Sequence, residues 1–313
     1  MAFFKRIFLF MLVNILVMVT ITLVTNLLGL RGYMTPYGID YGQLMAFCLI
    51  WGMSGAFISL ALSRQMAKWM MGVQIIDESV AEPRLRELVQ MVYRLSEQAG
   101  LPARPQVGYY ESGEVNAFAT GPTKARALVA VSTGLLSRMD REQVEGVIGH
   151  EIAHVANGDM VTMTLLQGVI NAFVMFLARV IGYAISNASR SEDDERPSYM
   201  MQSIVTMVLE IFLSILGSIV VAWFSRWREF RADEGGANLA GRPKMIAALE
   251  ALKSFQNFEP EAEPSNQKAI AAFKISSRKG GWLSIFSTHP DLDKRIEALK
   301  FGQFKGIHSK QMV

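Results

Sequence analysis

Four stretches of this chain are long, apolar and almost free of charge, and they limit its fold more than any other feature. Ile7 to Leu30 holds 24 residues without a charged side chain, and Tyr41 to Ser63 holds 23. About 20 such residues cross the hydrocarbon core of a bilayer as a helix. Met160 to Ala178 is a third charge-free run, with apolar character continuing past Arg179 to Ile185, and Met200 to Ser225 is a fourth, broken only by Glu210. Four transmembrane helices are therefore predicted. Lys5-Arg6 precedes the first run as in a secretory signal. That run is too long for a signal's apolar region and no small-residue cleavage site closes it, so an uncleaved signal anchor is expected. Gly52, Ser54, Gly55 and Ser59 in the second run allow another helix to come close. Gln167, Asn171, Arg179 and Glu210 are costly in lipid unless they face protein or water.

Between and after these runs the chain is soluble in character. Residues 64–159 open with a helix from Pro83 to Ala99, whose Leu85, Leu88, Val89, Val92 and Leu95 share one face. Strand-like pieces follow at Gln106–Tyr110, Val115–Ala119 and Ala127–Ser132. Residues 226–313 read as helices over Arg226–Ala240, Lys244–Phe255 and Asp291–Lys300, with loops at Glu259–Gln267 and Ser276–Gly281. The predicted order is a membrane region over 1–63, a first soluble part over 64–159, two further spans within 160–225 and a second soluble part over 226–313. Lys and Arg flank the first two spans at Lys5, Arg6, Arg64 and Lys68, and follow the last at Arg226, Arg228 and Arg231. This asymmetry puts both termini and the soluble parts in the cytoplasm. The net charge of +3 is small and points to no nucleic-acid partner. With Cys48 alone, no intrachain disulfide can form.

The chemistry is concentrated in Gly149-His150-Glu151-Ile152-Ala153-His154-Val155-Ala156-Asn157-Gly158. On a helix, His150 and His154 lie one turn apart on one face, so both imidazoles can reach one Zn²⁺ at about 2.0–2.1 Å. Glu151 can then reach a water on that metal and serve as its base. The local pattern supports a helix. Asp140 with Gln143 makes a capping box, Val144, Val147, Ile148, Ile152 and Val155 recur at helical spacing, and Gly158 is a stop signal. The helix is expected to lie almost against the membrane.

A catalytic zinc site ordinarily has three protein ligands and a water. The remaining histidines are His289 and His308. The better candidate is Glu229, in Arg228-Glu229-Phe230-Arg231-Ala232-Asp233, with Asp233 one turn on and able to accept a hydrogen bond from a ligating imidazole. Ala232, Gly235, Gly236 and Ala237 would let this helix pack closely on the first. On spacing alone, Glu229 and Asp233 read equally well as a solvated acidic pair among arginines.

Taken together, these residues resemble the HtpX-type membrane metallopeptidases, of the gluzincin group that also includes the CAAX prenyl proteases. The likeness covers nearly the full length. It rests on the two N-terminal spans, Val115–Gly121, His150–Met160, Arg228–Asp233 and Thr288-His289-Pro290. It implies one Zn²⁺ per chain on His150, His154 and Glu229, Glu151 as base, and Asp233 behind the ligands. It also implies ATP-independent endoproteolysis, with no nucleotide partner, in quality control of bacterial inner-membrane proteins. The fold expected is α+β: four transmembrane helices with a cytoplasmic zincin-like domain split in sequence by the third and fourth.

Three further readings are open. Asn116, Ala117, Phe118 and Ala119 are either an edge strand that pairs with an extended substrate or an ordinary core strand. His289 either approaches the zinc or the oxyanion, with Arg295 a rival for the charge role, or the two are a helix-start His-Pro and a surface Arg. A catalytically silent membrane scaffold or holdase is the alternative function, though it would not need Glu151 beside two ligands. A channel or transporter, suggested by Arg179 and Glu210, would not need the His-Glu helix.

Overall fold

The computed structural model describes residues 15, 18–29, 32–35, 38–188, 199–258 and 287–302. Three of the apolar runs fold as single long helices: α2 (Tyr41–Met71), α6 (Asp159–Ala188) and α7 (Tyr199–Ala240). All three are long and apolar enough to cross a membrane. Of the first run, the described part is a shorter apolar helix, α1 (Met18–Leu27), and the rest lies outside the described residues. So do Lys5, Arg6 and the loops read at Glu259–Gln267 and Ser276–Gly281. One sequence expectation is corrected. Arg226–Ala240 is not a separate helix but the end of α7, which runs unbroken for 42 residues. Neither Gly nor Pro falls between Val220 and Ala232, so nothing stops the helix where its apolar character ends.

Contacts divide the chain into two units. The first comprises Met1–Leu60 and Thr162–Val221. Here β1 (Met34–Thr35) and β2 (Gly38–Ile39) form a small antiparallel hairpin ahead of α2. Gly52 brings α2 against α6: a Cβ there would lie 2.6 Å from the Ala172 backbone nitrogen. The polar residues of these helices find partners. Arg179 donates to Glu210 at 2.5 Å and lies over the Phe47 ring, and Gln167 donates to Asn171 at 2.8 Å. Large apolar side chains such as Phe173, Met207, Ile211 and Phe212 are exposed, as on a surface that meets hydrocarbon.

The second unit comprises Ala61–Val161 and Ala222–Val313. It holds a four-stranded sheet of β3 (Gln74–Ile75), β4 (Gln106–Tyr110), β5 (Ala117–Thr120) and β6 (Leu128–Ser132), in the order β3-β4-β6-β5. β4 and β6 are parallel and the outer pairs antiparallel. The alternation of side chains sorts two cores. Val107, Val129 and Val131, with Ala117 and Ala119, pack with α3 (Pro83–Gln98) and α5 (Arg141–Asn157). Tyr110, Leu128 and Ala130, with Phe118, pack with Val73 on the other face. β5 starts at Ala117 rather than Val115, because the Ser132 hydroxyl caps the strand by accepting from the Asn116 N–H at 3.1 Å. After β6 come α4 (Thr133–Arg138), α5 and, following α7, α8 (Arg242–Phe258) and α9 (Leu292–Phe301). Helix-rich with a small mixed sheet, the chain is of the α+β class.

Small residues set the distance between α5 and the end of α7. A Cβ on Gly235 would meet the Ala153 Cβ at 2.7 Å, and one on Gly236 would meet the His150 backbone nitrogen at 2.9 Å. Gly236→Val is therefore expected to push α7 away from α5 and destabilise the protein by about 1–3 kcal/mol, as overpacking does. Thermal unfolding in detergent reads this directly. An unchanged midpoint would mean that the two helices need not approach so closely.

Candidate metal centre

The site is built on α5. Asp140 accepts from the Gln143 N–H at 2.9 Å while Gln143 Oε1 accepts from the Asp140 N–H at 3.2 Å. The helix ends at Gly158, whose φ of 71° is left-handed and suits glycine. Between cap and stop the regular turn puts His150 and His154 one above the other, rings 4.6 Å apart and edge to face, with their Nε2 atoms 3.1 Å apart. The C-terminal part of α7 brings in Glu229, 1% exposed, and Asp233, fully buried. Glu229 Oε2 lies 3.5 Å from His150 Nε2, and its Oε1 lies 3.3 Å from His154 Nε2.

The protons decide what this cluster can hold. His150 Nδ1 faces Asp233 Oδ1 at 2.9 Å, and His154 Nδ1 faces Asp159 Oδ2 at 2.6 Å. A carboxylate only accepts, so each Nδ1 carries a hydrogen, and in the neutral imidazole each Nε2 presents a lone pair. Two lone pairs and two carboxylate oxygens then converge within 3.1–3.5 Å, an arrangement that repels itself unless a cation shares it. Tetrahedral ligands with 2.0–2.1 Å bonds lie about 3.3 Å from one another. His150, His154 and Glu229 therefore fit a metal ion in both chemistry and spacing. The electrostatics agree. A proton can stand in for that cation: burial pushes the His150 imidazole down, yet its hydrogen bonds to Asp233 and Glu229 outweigh burial and raise its pKa to about 9. The pocket is built to take positive charge.

Glu151 follows the first histidine on α5 and is half-buried. Among the described residues no hydrogen bond or ion pair occupies its carboxylate. Arg295, read from sequence as either a charge stabiliser or a surface residue, is 6% exposed on α9. It grips Asp233 with two bonds, Nε to Oδ2 at 2.7 Å and Nη2 to Oδ1 at 2.6 Å, and sets Nη1 3.4 Å from Glu229. Burial works against the charge on Arg295, but the Asp233 carboxylate outweighs it and raises the pKa. His289 stands just before α9 with its side chain 68% exposed, and its Nδ1 lies 3.0 Å from Glu229 Oε2. Arg226 on α7 holds that segment by donating to the Ser287 carbonyl at 2.6 Å. His308 lies outside the described residues. Asn116 to Ala119 sit at the end of the sheet, and among the described residues the outer edge of β5 has no neighbouring strand.

Sequence reasoning missed Asp159 and the arginines around it. Asp159 is 1% exposed and accepts from Arg231 Nη2 at 2.9 Å as well as from His154. Sequence carried no distinct signal for it, since an acid in the first turn of a helix is favoured by the helix dipole with or without a partner.

Two histidines a turn apart and a carboxylate from a second helix form a group that could hold a metal ion, with Glu151 beside the first histidine. Comparison with known proteins gives the family. The profile of peptidase family M48 matches residues 82–301, and the chain belongs to that family. It is 50% identical over 298 residues to "Protease HtpX homolog" of Methylacidiphilum infernorum, covering 95% of this chain and 98% of the relative. It is also 50% identical over 303 residues to the protein of that name in Bacillus subtilis, covering 95% and 99%. The crystal structure of S. mikatae Ste24p superposes with a TM-score of 0.63 at 14% identity. That alignment covers 95% of this chain and 64% of Ste24p, so this chain spans less than two thirds of that protein's length, and the likeness is one of fold. The chain is thus a membrane-associated metalloprotease of bacterial type, which acts on proteins and carries helices suited to a bilayer.

Proposed function

We propose that the chain is a zinc endopeptidase of the gluzincin type that cleaves misfolded or damaged membrane proteins in the bacterial inner membrane. The observation that carries this reading is the convergence of two Nε2 lone pairs and the Glu229 carboxylate beside an unengaged Glu151. Zn²⁺ held by His150, His154 and Glu229 supplies a Lewis acid and lowers the pKa of its water to about 7. Glu151 accepts a proton from the attacking water and returns it to the leaving amine. His289, exposed beside Glu229, donates to the oxyanion. Arg295 braces Asp233, and through it His150, so its contribution is to position the ligand. The open edge of β5, from Asn116 to Ala119, pairs with the substrate backbone as an added strand. The test is metal analysis of purified protein alongside cleavage of an unfolded protein. One zinc per chain is expected, with cleavage that stops with chelator and returns with zinc. Cleavage indifferent to chelator would overturn the reading.

In the same proposal the catalytic domain is assembled from residues 64–159 and 226–313, with membrane segments in 1–63 and 160–225. Four helices span, leaving both termini and the catalytic domain in the cytoplasm. Cysteines introduced at Gly38 and Ser191 are expected to label from outside the cell, and one at Ser265 is not. Native Cys48 is buried and adds little background. Labelling at Ser265 in intact cells would reverse the topology.

A further inference from the structure

We infer that Asp159 is a positioning residue for His154, selecting the tautomer that turns Nε2 toward the metal. The inference rests on the proposed role of His154 as a ligand. The two imidazoles are backed alike. His150 leans on Asp233, which Arg295 holds, and His154 leans on Asp159, which Arg231 holds. Asp233 lies four residues beyond Glu229 on the same helix, whereas Asp159 lies beyond the end of α5, outside the His-Glu-x-x-His helix that carries both imidazoles. It is the first residue of α6, just past the left-handed turn at Gly158, and it is almost wholly buried.

A carboxylate is expensive to bury, and each oxygen of this one has a partner. Oδ2 accepts from His154 Nδ1 at 2.6 Å, and Oδ1 accepts from Arg231 Nη2 at 2.9 Å. Arg228 Nε stands 4.0 Å from Oδ2. Because Oδ2 has no proton to give, it fixes the hydrogen on Nδ1 and fixes the plane of the ring. With no acceptor at this place, His154 is free to put its hydrogen on Nε2 or to turn about its side chain, and either change spoils a ligand. Arg231 holds the carboxylate from the far side, so that it cannot swing away from the ring. The clamp joins α5, the first turn of α6 and α7. It thereby ties a metal ligand to the starting point of a helix apolar enough to cross a membrane.

The experiment compares the wild type with Asp159→Ala, with the double variant Asp159→Ala/Arg231→Met, which leaves no unpaired charge, and with Asp159→Asn, which keeps an oxygen acceptor for His154. Zinc affinity is measured by chelator competition, and the ligand field by the visible spectrum of the cobalt-substituted protein. The double variant is expected to bind zinc about 10–100-fold more weakly with a changed cobalt spectrum, as when the partner behind other metal-binding histidines is lost. Asp159→Asn is expected to recover most of the affinity. A purely structural ion pair would lower the melting temperature of the metal-free protein and leave the cobalt spectrum alone. Wild-type zinc affinity and spectrum in the double variant would overturn the inference while the metal site stands. A wild type that takes up no metal would overturn the site and this inference together.

Discussion

Glu151→Gln is expected to keep its zinc and lose its activity. The amide has the size of the carboxylate but cannot accept the water's proton. Cleavage of an unfolded substrate should fall by about 10²–10⁴, the usual worth of a positioned acid–base group. Nothing else should change. Among the described residues Glu151 makes no hydrogen bond or ion pair, so the substitution strands no partner and stability should move by less than about 0.5 kcal/mol. If the wild-type protein cuts itself during purification, the variant should remain whole. The paired readout is zinc per chain and cleavage rate in detergent. Equal zinc with equal cleavage would remove Glu151 from the mechanism, and equal zinc with no cleavage by either protein would favour a scaffold.

Glu229→Ala is expected to have the opposite signature, losing the metal and with it all activity. Glu229 is 1% exposed and stands at the meeting point of five side chains: His150, His154, His289, Arg228 and Arg295. Its removal takes away one of three ligands and leaves a buried group of donors with less negative charge to face. Breaking a buried charged pair in this way costs about 3–5 kcal/mol, so the variant should also unfold at lower temperature than metal-free wild type. Glu229→Gln separates the two effects. It fills the same volume and still offers an oxygen, so it should fold better than the alanine variant yet bind zinc far more weakly than wild type. Full zinc occupancy in Glu229→Ala would reassign the third ligand, with His289 next in line.

Much of this centre is legible in the sequence, because its strongest signals are local. The i, i+4 pair His150 and His154, the Asp140/Gln143 capping box and the Gly158 stop all lie within one helix and act over one turn or at its ends. Such interactions depend on neighbours in sequence, so sequence carries them. The apolar runs likewise determine three long helices on their own, since hydropathy over some twenty residues needs no tertiary context. The single expected break that is not present, between Ser225 and Arg226, shows where such a reading stops. A change from apolar to charged residues marks a change of surroundings, not the end of a helix.

What tertiary structure alone decided is the set of partners drawn from distant parts of the chain. From spacing, Glu229 and Asp233 were as good a solvated pair as a metal ligand and its support. Packing α7 on α5 through Gly235 and Gly236 buries both and aims them at His150 and His154. Arg295, open in sequence to reading as a surface residue, is buried because α9 brings it to Asp233, 62 residues away along the chain. Asp159 and Arg231 are 72 residues apart, and no periodicity connects them. A buried charge is tolerated only when its complement is supplied in space. Local pattern therefore determined which residues can bind a metal, and the folded packing decided which carboxylates and arginines hold them in place.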